Sequence, residues 1–223
     1  MQKLTYLLSF YFLCFNLQAQ SPKNKLGTWY MYNGTHEVSK KIALKTSAHF
    51  RYFDFGDTYQ QEVYRTGLNY SFHKKINTTL GGVYSVTDNT YKSAGFNLKE
   101  YRLYQDLNIK GSLKKLSLKH RVRLAQRFTK QNTRKKTKHR IRYGLFFKYP
   151  IFKKWKAYAF NETFIKFATK SFGQNRIGTG IIRKINKNFK LKVGYLNIKS
   201  STNTINRLQL GILVNTNHIK KIS

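Results

Sequence analysis

The chain is short of several things, and each shortage closes off a class of protein. Of 223 residues, one is cysteine (Cys14), two are proline (Pro22 and Pro150) and only eight are acidic. Cys14 falls in an N-terminal segment expected to be removed, which leaves no thiol for a disulfide or a thiolate metal site. Neither proline falls inside a strand-like run, so no ladder N–H is lost where one is needed. After the first twenty residues no stretch has the length and apolarity of a membrane-spanning helix. His, Asp and Glu are nowhere grouped at metal-ligand spacing, and no cofactor is expected.

What is present begins with an export signal. Lys3 is its only charge, and an apolar run from Leu4 to Phe15 is followed by Asn16-Leu17-Gln18-Ala19-Gln20. The run is too short to span a bilayer as a helix. Leu17-Gln18-Ala19 resembles a small-residue cleavage site, so cleavage after Ala19 and Sec export are expected. Tyr11-Phe12-Leu13 before Cys14 lacks the small residues of a lipoprotein box. The expected organisation is a signal over 1–19, an N-terminal segment over 20–40 with one strand-like stretch, a β-barrel over 41–216, and a basic tail over 217–223.

From Lys41 to Val214 apolar and polar residues alternate in runs separated by turn chemistry. A period of two kept over so many segments predicts strands with two different faces. In 41–54, Ile42, Leu44, Ala48, Phe50 and Tyr52 oppose Lys45, Ser47, His49 and Arg51. In 98–110, Tyr101, Leu103, Leu107 and Ile109 oppose Glu100, Arg102, Asp106 and Lys110. In 116–130, Leu118, Val122, Leu124 and Phe128 oppose Lys119, Arg121, Arg123 and Arg127. Segments 139–149, 189–199 and 206–215 repeat the pattern, while 59–72, 76–87, 155–168 and 175–185 alternate more weakly. Strands of this length, with aromatics at 16% of the chain, predict an all-β fold: a single antiparallel up-and-down transmembrane barrel of ten to twelve strands. Short turns are expected at 73–75, Gly111-Ser112, 150–154 and 186–188. Longer loops are expected at 88–97, 131–138, 169–174 and 200–205. The stretch Leu26 to Tyr32 makes an eleventh strand, and its place is open: an edge of the barrel, the lumen or the periplasm. A soluble periplasmic barrel with the apolar face inward is the alternative architecture.

The chain resembles a family of Gram-negative outer-membrane β-barrels described as a domain of unknown function (family 2490). The resemblance rests on Leu26-Gly27-Thr28-Trp29-Tyr30, Phe50-Arg51-Tyr52-Phe53, Arg65-Thr66-Gly67-Leu68-Asn69-Tyr70 and the run Glu100 to Asp106. It continues through the run His120 to Phe128, Asn161-Glu162-Thr163-Phe164, Gln174-Asn175-Arg176 and the run Arg207 to Gly211. It implies an outer-membrane barrel and no particular activity. The ending Lys220-Lys221-Ile222-Ser223 departs from the terminal aromatic that many such barrels carry.

The formal charge is +35. Such an excess usually points to nucleic acid. For an exported chain the expected partners are instead lipopolysaccharide and outer-membrane lipid, with anionic solutes as a further class and the barrel-assembly machinery as its route; no nucleic acid is expected. The rare acids are the more telling. Glu100, Asp106 and Glu162 share strand faces with Arg65, Arg102, Arg121, Arg123, Arg127, Arg142 and Arg176, and these ten form the candidate lumen charge network. An enclosed charge needs water or a partner, and arginine pairs carboxylate in a planar fork. The network reads either as a brace across the barrel or as a basic constriction that selects anions. Two further readings are a lipid-modifying enzyme built on Ser47 and His49, which share a face but lack a third member, and a soluble binder of anionic ligands.

Overall fold

The protein is described by a computed structural model over residues 26–90, 96–167 and 171–219. Eleven strands follow one another: β1 (Gly27–Glu37), β2 (Ile42–Tyr52), β3 (Tyr59–His73), β4 (Ile76–Thr87), β5 (Leu98–Leu113), β6 (Leu116–Gln131), β7 (Arg134–Phe152), β8 (Trp155–Lys166), β9 (Ser171–Lys184), β10 (Phe189–Ser200) and β11 (Thr204–Asn217). They close into one barrel in chain order, with no helix among the described residues. The expected signal segment and the last four residues of the basic tail lie outside the described residues.

Closure settles the place of the first strand. Leu26 to Tyr32 is neither a luminal nor a periplasmic segment: it enters β1, which pairs with β2 on one side and β11 on the other. The barrel therefore runs over residues 27–217, where the alternation alone had it begin at 41. With an odd number of strands that go up and down in turn, the first and last point the same way. The closing pair is accordingly parallel, with Gly27 opposite Arg207 and Glu37 opposite Asn217, while the ten other neighbour pairs are antiparallel. The seam leaves no exposed sheet edge.

Several reversals are tighter or displaced from where their chemistry suggested: Pro150 to Phe152 belong to β7, so that proline does lie in a strand, and Ser171 to Gln174 belong to β9. Gly111 and Ser112 pair with Leu118 and Ser117 inside the β5–β6 hairpin, and the chain reverses at Lys114-Lys115, where Lys114 takes φ 50°. The basic stretch 131–138 is not a long loop. Gln131 pairs with Arg134 and Lys130 with Lys135, so the reversal takes only Asn132-Thr133, with Asn132 at φ 52°. Asparagine tolerates that left-handed conformation better than most residues.

The two faces of the wall differ as the alternation requires. Leu80 (62% exposed), Leu103 (56%) and Ile177 (55%) stand on the outside. Outward aromatic rings join edge to face, Tyr30 to Tyr52, Tyr52 to Tyr59 and Phe50 to Tyr64, as in the aromatic girdles of membrane barrels. The buried side chains are polar as often as apolar, and include Asn69, Asn77, Asp106, Arg123 and Glu162. A soluble barrel would invert this arrangement, burying the greasy face and fanning the cations into water.

Large inward rings need room, and glycines on neighbouring strands give it. The Tyr104 hydroxyl lies over Gly67 and Gly81, and that of Tyr158 over Gly180 and Gly194, where an added Cβ would collide with it. Gly81 is thus a site of close packing. At the β2–β3 loop, Asp54 accepts bonds from the Thr58, Gly56 and Asp57 amides at 3.0 Å.

Two outcomes follow. Tyr30 and Leu210 are register partners across the seam, so a Tyr30→Cys, Leu210→Cys pair is expected to form a disulfide on oxidation, seen as altered gel mobility without reductant. If that pair stays open while Tyr30→Cys, Phe50→Cys closes, β1 does not meet β11. The Thr58 hydroxyl and amide, then the Gly56 and Asp57 amides, hold the Asp54 carboxyl down at about 2. A lowered pKa contributes order that is complete above the ordinary carboxylate range and lost only as pH falls through the lowered value. The Gly56 and Asp57 amide resonances should therefore keep their positions at pH 3; movement centred near pH 4 would contradict the assignment.

Candidate functional site

The barrel interior concentrates like charges on facing positions. Arg102 stands opposite Arg127, Lys110 opposite Lys119 and Arg123 opposite Arg142. Like charges directly across a strand pair repel; Glu100, Asp106 and Glu162 relieve the two arginine rungs, while Lys110 and Lys119 form no ion pair with a described residue. Glu100 accepts from Arg102 (Nη2 at 2.5 Å) and from Arg127 (Nε at 2.7 Å, Nη2 at 2.5 Å), bridging one like-charged rung. Asp106 takes both oxygens to Arg123 in a two-pronged pair at 2.5 Å. Glu162 accepts from Arg121 and stands 3.7 Å from Arg142 Nη1. The Arg123–Arg142 rung is thus separated into two pairs with different acids.

Eight of the ten candidate residues are joined in this way. Arg65 and Arg176 are not. Arg176 donates to Gln174 at 3.2 Å and lies over the Phe164 ring at 4.7 Å. Arg65 has no ion pair or side-chain hydrogen bond with a described residue; its guanidinium stands 5.8 Å from the Tyr104 ring, and its Nε is buried without a partner. Rings hold several of the other cations: Arg51 lies 3.9 Å from the Trp29 centroid, Arg142 4.0 Å from Phe164 and Arg123 4.3 Å from Tyr104. Such stacking fixes a planar cation without neutralising it.

Arg51 and Lys119 belong to the same interior. The alternation puts both on the inward face, but it gives no sign of what they meet across the barrel. Arg51 donates to Gln61 besides stacking on Trp29, and the Lys119 ammonium sits 4.1 Å from the Phe146 ring. Ser47 and His49 share the inward face without forming a dyad. His49 pairs with Asn33 Oδ1 at 3.0 Å, and Ser47 Oγ has no partner among the described residues.

Two adjoining cavities lie in the middle of the interior. One, about 270 Å³, is lined by Asn69, Asn77, Asn108, Asp106 and Lys110 among others. The other, about 280 Å³, reaches Trp29, Arg142, Phe160 and Glu162. Asn33, Arg65, Lys119 and Arg121 line both, so they form the waist between the two. Around the second cavity eight lysines and arginines face a single carboxylate, Glu162.

A closed β-barrel with arginine–carboxylate braces inside and a greasy outer face defines the class. Within it, the chain belongs to the family described as "Protein of unknown function (DUF2490)", whose profile matches residues 26–209. No curated protein matches it in sequence. Among solved structures it is similar to the NanC porin, at 9% identity over 78% of this chain and 87% of that one with a TM-score of 0.48. It is also similar to the KdgM porin, at 13% identity over 78% and 91% with a TM-score of 0.44.

Arg123 (3% exposed) and Asp106 (6%) form the most enclosed pair. Removing one member of such a pair strands the other charge. Asp106→Asn is therefore expected to lower unfolding stability in detergent or lipid by about 3–5 kcal/mol, and Asp106→Asn with Arg123→Met by clearly less. Urea titration of the refolded variants checks this; an equal loss in the double variant would mean that the pair itself, and not the stranded guanidinium, sets the cost.

Proposed function

We propose that this is an outer-membrane barrel through whose basic interior small anions pass or are retained. Export by the Sec pathway, removal of residues 1–19 and insertion by the barrel-assembly machinery belong to the same reading, with lipopolysaccharide and phospholipid as its surroundings. The observation that carries it is the charge imbalance at the waist and the second cavity, eight cations against Glu162, inside a wall whose outer face is apolar. Low-dielectric walls lined by one sign of charge focus the field and raise the local concentration of the opposite ion. Braced arginines keep the interior from collapsing, and Arg65 and Lys119 at the waist form no ion pair with any described carboxylate.

The rims suggest an orientation. The turns at 40–41, 74–75, 114–115 and 153–154 are each a lysine pair and are short, which suits the periplasmic end. The opposite rim carries the β6–β7 hairpin with Lys130, Arg134, Lys135, Lys136 and Lys138, all exposed, placed to meet lipopolysaccharide phosphates.

Purified protein in a planar bilayer under a KCl gradient is expected to give a reversal potential on the chloride side, and Lys119→Glu to move it toward cation preference. Absence of conductance, or a cation preference in the unaltered chain, would overturn the pore.

A further inference from the structure

We infer that the second cavity is a binding pocket for a small organic anion that joins an apolar, ring-sized body to one phosphate, sulfate or carboxylate head; this rests on the anion reading above and names what the site holds. The interior is not uniformly polar. Trp29, Met31, Leu196 and Ile198 form a buried apolar cluster inside the barrel, with Phe160 packed against it. That cluster lies on the arc from β8 through β10 to β1, where Arg176 and Lys192 also reach the cavity, 5.3 Å from the Trp29 ring and 4.5 Å from the Tyr158 ring. The arc from β3 to β7 brings Arg65, Lys119, Arg121 and Arg142 to the same cavity. A passage for hydrated ions gains nothing from an apolar wall. A wall of that kind facing a cationic one suits a ligand with two chemically different ends.

The cations around the cavity differ in what they already hold. Glu162 is engaged by Arg121 and Arg142. Arg65 and Lys119 have ring contacts and no described acceptor, so an oxyanion at the waist would supply acceptors that the protein does not. Removing either side chain orphans no carboxylate, which makes them fair test positions. At about 280 Å³ the cavity is at the small end of ligand sites. Rings already hold the neighbouring guanidinium groups in place, which reduces the ordering cost of binding.

Trp29 lines the cavity, and the chain has one other tryptophan, Trp155. In Trp155→Phe protein, folded in detergent and checked by heat-modifiable mobility, titration with phenyl phosphate is expected to change Trp29 fluorescence saturably. Inorganic phosphate should bind about tenfold more weakly, and uncharged benzyl alcohol not measurably. Arg65→Gln with Lys119→Gln should weaken phenyl phosphate about tenfold or more. Leu196→Gln should reduce phenyl phosphate binding and spare inorganic phosphate. No saturable response, equal affinity for the two phosphates, or insensitivity to the waist substitutions would overturn the pocket; if the double variant does not fold, Lys119→Gln alone is read in the same way. Bilayer selectivity on the same preparation separates the two claims. An anion-selective channel without phenyl phosphate binding defeats the pocket alone, and binding without conductance defeats the pore alone.

Discussion

Everything in this molecule follows from the need to pair every backbone N–H and C=O of a sheet that has no edge to spare. A wall one strand thick has no second layer behind it, so unpaired groups would face either lipid or a confined interior, both costly. Closing the ring of eleven strands removes both edges at once. Parity then dictates a parallel seam between β1 and β11, a slightly weaker pairing than the antiparallel ones beside it. The extended hairpins on the other side of the barrel, β5–β6 and β6–β7, have the longest paired runs.

Once the ring is closed, alternate side chains are committed to the interior, and charge becomes the governing problem. A chain with so few acids cannot neutralise its inward cations one by one. It places Glu100, Asp106 and Glu162 at the Arg102–Arg127 and Arg123–Arg142 rungs, and lays Arg123 and Arg142 over Tyr104 and Phe164 as well, while Arg51 rests on Trp29 without a carboxylate. Ring and carboxylate act differently here. The carboxylate cancels charge, whereas the ring positions it and leaves it available. Around the second cavity the described cations are therefore braced and still outnumber the one carboxylate, Glu162.

The strands with a clean contrast between faces were legible in the sequence. β5 and β6 put Leu103 and Leu124 outside and Asp106 and Arg123 inside, as the period of two predicts. β1 was harder, because Trp29 and Met31 point inward while Tyr30 and Tyr32 lie on the other face. Both faces are apolar or aromatic, and the contrast that marks a barrel strand is missing. Leu196 and Ile198 on β10 hide an inward apolar patch for the same reason. The β6–β7 tip reads as a loop because its residues are basic on both faces, yet Lys130–Lys135 pairing carries the ladder to the turn. Arg51 and Lys119 lie on the face the alternation assigned them. Their partners come from strands far away in sequence, so no local pattern could name the waist.

An odd number of staves also decides where the polypeptide enters and leaves. Leu26 lies at the mouth that holds the loop at 53–58, while Asn217 reaches the mouth with the lysine-paired turns. Set in a bilayer, those mouths open on different compartments. The wall is then also a covalent thread from one compartment to the other, and segments fused ahead of β1 and behind β11 would be displayed on opposite faces.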